Sequence, residues 1–143
     1  PYEADFVFGA MALIDGKFVT EYDVLPAAYF FGVEDMDISL QAQLDGWQIL
    51  VVPDSVIVHK VAASAGSIRT PFRVYHESWG RLHLAMTRLS FRQRFAFALF
   101  FVGSRLIVFV KWLRDGHSEW VQASLLAVQD FLTGQYPRDS MVG

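Results

Sequence analysis

Glu34, Asp35 and Asp37 fall within four positions, directly after an aromatic run and directly before an apolar-periodic segment. Like charges this close repel and shift one another's ionisation, so the cluster demands a solvated helix start, a bound cation or a catalytic role. A carboxylate here has the chemistry to take a proton from a hydroxyl or to ligate a hard cation. The plain physical account is an acidic first helical turn, where carboxylates meet the positive end of the helix dipole. His59 closes the apolar run "SVIVH" and sets an imidazole at a strand end, where sites in α/β sheets gather, although many such histidines merely end a strand. The chain has no cysteine, which excludes disulfides, zinc–thiolate sites and thiol nucleophiles and leaves the redox compartment open.

Several elements must position these groups. "FVFGAMALI" (Phe6 to Ile14) is an apolar run of strand length. In "MDISLQAQLDGW", Ile38, Leu40 and Leu44 recur at helical spacing and Gly46 stops the helix. "QILVVP" and "SVIVHK" read as strands divided by Pro53-Asp54, and "AASAGSIRTP" as a small-residue loop. Helices are predicted at about 72–89, 92–113 and 119–132, with Gly116 and Gly134 as stops. At 143 residues and 53% hydrophobic content the chain can bury a real core, so disorder is excluded. The opening Pro1, with no targeting segment after it, leads to the expectation of a piece of a longer protein. The net charge of −3 conceals an acidic stretch up to Lys60 and a basic one from Arg69 to Arg114. The first can hold a cation and the second can meet phosphates or anionic lipid, or each can simply solvate its own surface.

"FGAMALI", then "YFFGVEDMDISLQAQLDGWQILVVPDSVIVHK", then a Ser/Gly loop resemble the C-terminal half of the catalytic domain of family 2 glycosyltransferases, especially the rhamnosyltransferase-like members. The match spans about Phe6 to Ser67. The resemblance implies an α/β fold: the C-terminal part of a GT-A domain over residues 1–70, carrying acceptor and metal-site residues, then a helical tail over 71–143. It implies inverting transfer of a sugar from a nucleotide-diphosphate donor to a glycan or lipid-linked acceptor. Asp35 is the implied general base. Glu34 would bind acceptor hydroxyls or sharpen the base by like-charge repulsion, and Asp37 would stabilise the helix start. His59 would complete a Mg²⁺ or Mn²⁺ site. Arg69, in a loop that closes over the donor, would reach a phosphate, with His76 and Arg81 as weaker diphosphate contacts. Three departures stand against this. Gln41 replaces the Arg usual after "DISL"; "VYHESWGRL" lacks the expected "RN" pair; and the nucleotide-binding first half, with its Asp-rich metal motif, is not in this chain. The piece alone is expected to be inactive.

"FAFALFFVGSRLIVFVKWL" (Phe95 to Leu113) is apolar nearly all round a helix, with Arg105 in its middle. Its Leu, Ile, Val and Phe residues favour insertion by roughly −4 to −7 kcal/mol, and a central Arg costs about +2.5 to +3.5 kcal/mol. With Gly103, Ser104 and Lys111 narrowing the margin, a helix lying on a membrane surface, or packed on the domain or a second subunit, is favoured over a spanning one. The expected location is the cytoplasmic face of a membrane, or the cytoplasm. The alternative function is a non-catalytic membrane-associated or oligomerising module derived from a transferase. Nucleic acid is a poor partner, because the arginines are interleaved with core-type aliphatics and the whole chain is acidic.

Overall fold

Capping groups written in the sequence mark where three of the helices begin. The computed structural model describes residues 1–22, 24, 26–29, 31–59 and 69–135. Strand β1 (Tyr2–Ala4) is followed by α1 (Gly16–Glu21), whose Asp15 cap accepts the Lys17 N–H at 2.8 Å. Helix α2 (Glu34–Leu44) leads through Gly46, at φ +75°, to β2 (Ile49–Val51), which pairs antiparallel with β1, Tyr2 opposite Val51. Thr70 Oγ1 accepts the Arg73 N–H at 3.2 Å and Pro71 occupies the first turn of α3 (Pro71–Arg88). In α4 (Phe91–Arg114) the Gln93 side chain accepts the Ser90 N–H at 2.9 Å, and α5 (Ser118–Leu132) is the last helix among the described residues.

The core lies along the seam between α3 and α5. Val74, Tyr75 and Trp79 meet Ala123 and Ala127, with Trp112 of α4 closing one side. The small residues Ala123, Ser124 and Ala127 let the two helices approach closely. Two polar pairs are sealed in the seam: Tyr75 donates its hydroxyl to Asp130 Oδ2 at 2.8 Å, and the Ser78 and Ser124 hydroxyls lie 3.2 Å apart. Helix α4 buries only Phe101 and Trp112, leaving Phe95, Leu99, Phe100, Leu106, Ile107 and Val110 exposed.

The α/β architecture expected from the sequence does not form. The described chain is mostly helical, with five helices and one two-stranded antiparallel sheet in place of part of a GT-A sheet. A strand of a parallel sheet needs ladder partners and cover on both faces. The run at 6–14 finds neither: the Val7 N–H goes to Ser39 Oγ at 2.9 Å, the Met11 N–H turns back to the Phe8 carbonyl at 3.2 Å, and Phe8 and Leu13 are exposed. After β2 the Ser55 N–H closes a turn onto the Val52 carbonyl at 3.0 Å, around Pro53, and Val56 and Val58 are exposed. The three long helices lie within a residue or so of their predicted bounds, and α1 was not anticipated. Residues 60–68, which hold most of the expected Ser/Gly loop, lie outside the described residues.

Candidate functional site

The chain enters α2 through a strained turn. Gly32 and Val33 both adopt left-handed backbone, at φ +71° and +80°. For a β-branched residue this is a rare conformation, costing of order 1–3 kcal/mol and held only where packing imposes it. Packing does so here: Val33 is buried against Gly80 of α3, where an added Cβ would stand 3.2 Å from Val33 Cγ2. On the other side, the segment after β1 is stitched to α2. Gln43 donates its amide to the Asp5 carbonyl at 2.6 Å, while Ser39 Oγ accepts from Val7 and donates to the Asp35 carbonyl at 2.6 Å. This brings Gly9 against Asp35: a Cβ at position 9 would lie 3.7 Å from Asp35 Oδ2. The neighbouring Phe8 ring stands edge-on to His59, centroids 6.4 Å apart. Asp35 and His59 therefore meet adjacent residues, Gly9 and Phe8, at the start of one turn.

The three acids of the cluster have different surroundings. Asp37 is buried, with its side chain 4% exposed, and is clamped by Arg88 of α3 through Nε to Oδ1 and through Nη2 to Oδ2 at 3.1 Å. Arg88 also donates to the Gln41 side chain. Its hydrogen bond to Asp37 holds the Arg88 guanidinium above its usual proton affinity. This gives Gln41 a physical reason: an arginine there would face Arg88, whereas the neutral amide accepts from it. Among the described residues, Glu34 Oε2 is buried without a hydrogen-bond partner, and the part-buried Asp35 carboxylate makes no hydrogen bond or ion pair. Beside the clamp, burial and then the Asp37 charge push the Tyr29 hydroxyl up to about 12. Burial, with Arg88 adding to it and Asp37 opposing, lowers the proton affinity of His83, which stacks on Trp79 at 5.0 Å.

His59 is exposed. Among the described residues no group of three or more His, Asp or Glu side chains gathers where a cation would sit. Among the described residues His59 therefore stands outside any three-ligand group that could hold the expected Mg²⁺ or Mn²⁺.

The three expected diphosphate contacts separate. Arg69 and Arg81 line one cavity of about 140 Å³ between α3 and α4, together with Glu77, Arg105 and Trp112. His76 is not among its lining residues; it is buried in the interior with its ring 4.4 Å from Phe72 and 5.1 Å from Tyr75. In the sequence Arg105 stands only as an interruption of an apolar helix. The signal for its role lay in its spacing from Phe101, Val108 and Trp112, which share the packed side of α4. No family model, no curated protein and no solved structure matches the chain.

Proposed function

We propose that this chain supplies the base-bearing, acceptor-side part of an inverting sugar transferase. It would act at the cytoplasmic face of a membrane on a nucleotide-diphosphate sugar and a glycan or lipid-linked acceptor. The observation that carries this reading is the division of the acidic cluster. Asp37 is neutralised by Arg88, while Asp35 keeps a carboxylate with no cation or donor among the described residues, beside a glycine that leaves its oxygen uncovered. In the reaction the acceptor oxygen bonds to the anomeric carbon, the bond from that carbon to the diphosphate breaks on the opposite face, and the acceptor proton passes to Asp35. Glu34, with an oxygen that meets no donor among the described residues, is suited to hold an acceptor hydroxyl. The strained Gly32-Val33 turn supports the same reading, since strain of this kind gathers at functional sites.

The test is Asp35→Asn in the intact transferase of which this reading makes the chain a part. The amide keeps the shape and cannot take the proton, so turnover should fall about 10²-fold or more with donor affinity little changed. Turnover near that of the parent would remove Asp35 as base and leave an acidic helix start.

A second reading, a membrane-associated module without catalysis, is favoured by α4. That helix is long and apolar enough to cross a membrane, at roughly 36 Å, yet it carries Arg105 on its packed side. Its exposed apolar face is bracketed by Arg92 and Arg94 at one end and Lys111 and Arg114 at the other, the pattern of a helix lying in the interface. Binding to anionic vesicles that weakens with salt, alongside unchanged turnover in Asp35→Asn, would select this reading.

A further inference from the structure

The cavity between α3 and α4 gathers three arginines. Arg81 comes from α3, Arg105 from α4, and Arg69 stands at the rim just before α3. The acid in the lining, Glu77, is engaged by Arg73, whose Nε donates to it at 2.7 Å. Among the described residues neither Arg81 nor Arg105 makes an ion pair or a side-chain hydrogen bond, and the Arg105 Nε is buried without an acceptor. A buried guanidinium N–H without an acceptor is costly, and native proteins seldom keep one without a use for it. Trp112 orders the group: the Arg69 and Arg105 guanidinium carbons lie 5.5 Å and 5.9 Å from its ring centroid. Stacking of this kind uses the face of a guanidinium and leaves its N–H edge for an acceptor. Burial, then repulsion from Arg81 and Arg69, lowers the proton affinity of Arg105, with Glu77 opposing.

We infer that this cavity binds a phosphate or diphosphate group, held by the Arg81 and Arg105 guanidiniums with Arg69 at the mouth. Planar forks of N–H donors match phosphate oxygens in pairs, and an anion here would relieve the repulsion among the arginines. Two sources carry this chemistry, a soluble phosphate compound and a lipid headgroup. The second is brought near by the exposed apolar face on the outer side of the same helix. The inference stands apart from the role of Asp35, because an anion can bind between α3 and α4 whether or not Asp35 takes a proton.

The test is a calorimetric titration of the whole chain with inorganic pyrophosphate at low salt, paired with thermal unfolding with and without it. We expect saturable binding and a raised Tm. Arg105→Gln and Arg81→Gln should each weaken binding about tenfold or more and remove the Tm rise. Arg92→Gln, on the exposed first turn of α4, should leave both unchanged. Arg105→Lys, which keeps charge but not the fork, should fall between, so the proposal stays testable if the Gln variant folds poorly. Displacement of pyrophosphate by phosphatidylglycerol vesicles but not by phosphatidylcholine vesicles assigns the site to a lipid phosphate; no displacement assigns it to a soluble one. Absence of saturable binding, or an Arg92→Gln loss equal to that of Arg105→Gln, overturns the site. Neither result depends on the Asp35→Asn experiment.

Discussion

Helices α4 and α5 both pack on α3, yet only α5 is sealed against it. The reason is side-chain size and placement more than apolarity. Ala123, Ser124, Ala127 and Asp130 form one narrow stripe on α5, small enough for close approach and carrying polar groups that answer Tyr75 and Ser78. Helix α4 carries large apolar residues nearly all round and can turn only a strip containing Phe101 and Trp112 toward the core. A helix apolar on every side cannot be buried by one neighbour, so its outer face waits for another surface.

Asp130→Ala breaks this comparison most severely. It removes the acceptor of the Tyr75 hydroxyl in the sealed seam and should cost about 3 kcal/mol, read as a fall in the urea midpoint at constant slope. Two adjacent residues of α4 then sharpen the contrast. Phe101 is buried and Phe100 is 71% exposed, so Phe101→Ser should cost about 3 kcal/mol and Phe100→Ser less than about 0.5 kcal/mol. Equal losses at the two positions would mean that α4 is enclosed in solution.

Within the acidic cluster the same kind of contrast holds between neighbours. Asp37→Asn removes the charge that binds Arg88 and should cost about 2 kcal/mol, whereas Asp35→Asn should leave stability within about 0.5 kcal/mol of the parent. A stability loss at Asp35 as large as that at Asp37 would make Asp35 a structural residue. Gly80→Ala probes what holds the α2 start. Its new methyl would press on Val33 at 3.2 Å, and because the left-handed Val33 backbone has little room to yield, this outweighs the gain of about 1 kcal/mol from Ala over Gly inside a helix; a net loss of about 1 kcal/mol is expected, with the turn before Glu34 displaced.

The helices were legible because their signals are local. Pro71, Gly116 and Gly134, with apolar residues at intervals of three and four, fixed the long helices to within about a residue. Asp15, which caps α1, was present but preceded too short a helix to show periodicity. The strand read at "QILVVP" forms as β2, but those read at Phe6 to Ile14 and "SVIVHK" do not, because apolar and β-branched runs announce a liking for a sheet without saying whether a neighbouring strand exists. The acidic cluster was visible, but its division was not, since Arg88 stands 51 positions from the Asp37 it neutralises. Arg69 and Arg81 were singled out, while Arg105 was hidden by the apolar helix around it. Periodicity gave no hint that His76 would be sealed inside α3 while Arg81, five positions on, faced a cavity.

The smallest effect belongs to His83, at the border between the sealed seam and the acidic cluster. Its ring stacks on Trp79, which in turn meets Phe131 of α5 with centroids 6.1 Å apart. Its proton affinity in the folded chain lies below the ordinary value of 6.5, first because burial disfavours the imidazolium and then because Arg88 repels it, with Asp37 offsetting part of this. The unfolded chain therefore binds more protons at this position. The contribution of a neutral His83 is fully present above pH 6.5 and is progressively lost as pH falls from there through the lower folded value. Because the side chain is only partly buried, the slope should be shallow. Tm measured from pH 7.5 down to 5.5 should fall slightly more steeply in the parent than in His83→Gln, where this group no longer titrates. The two curves should also converge when Arg88 is replaced by Gln, since that removes one of the two causes of the shift. Identical slopes in parent and His83→Gln would mean that the Trp79 stack admits the charged imidazole as readily as water does, and that the seam is open at this end.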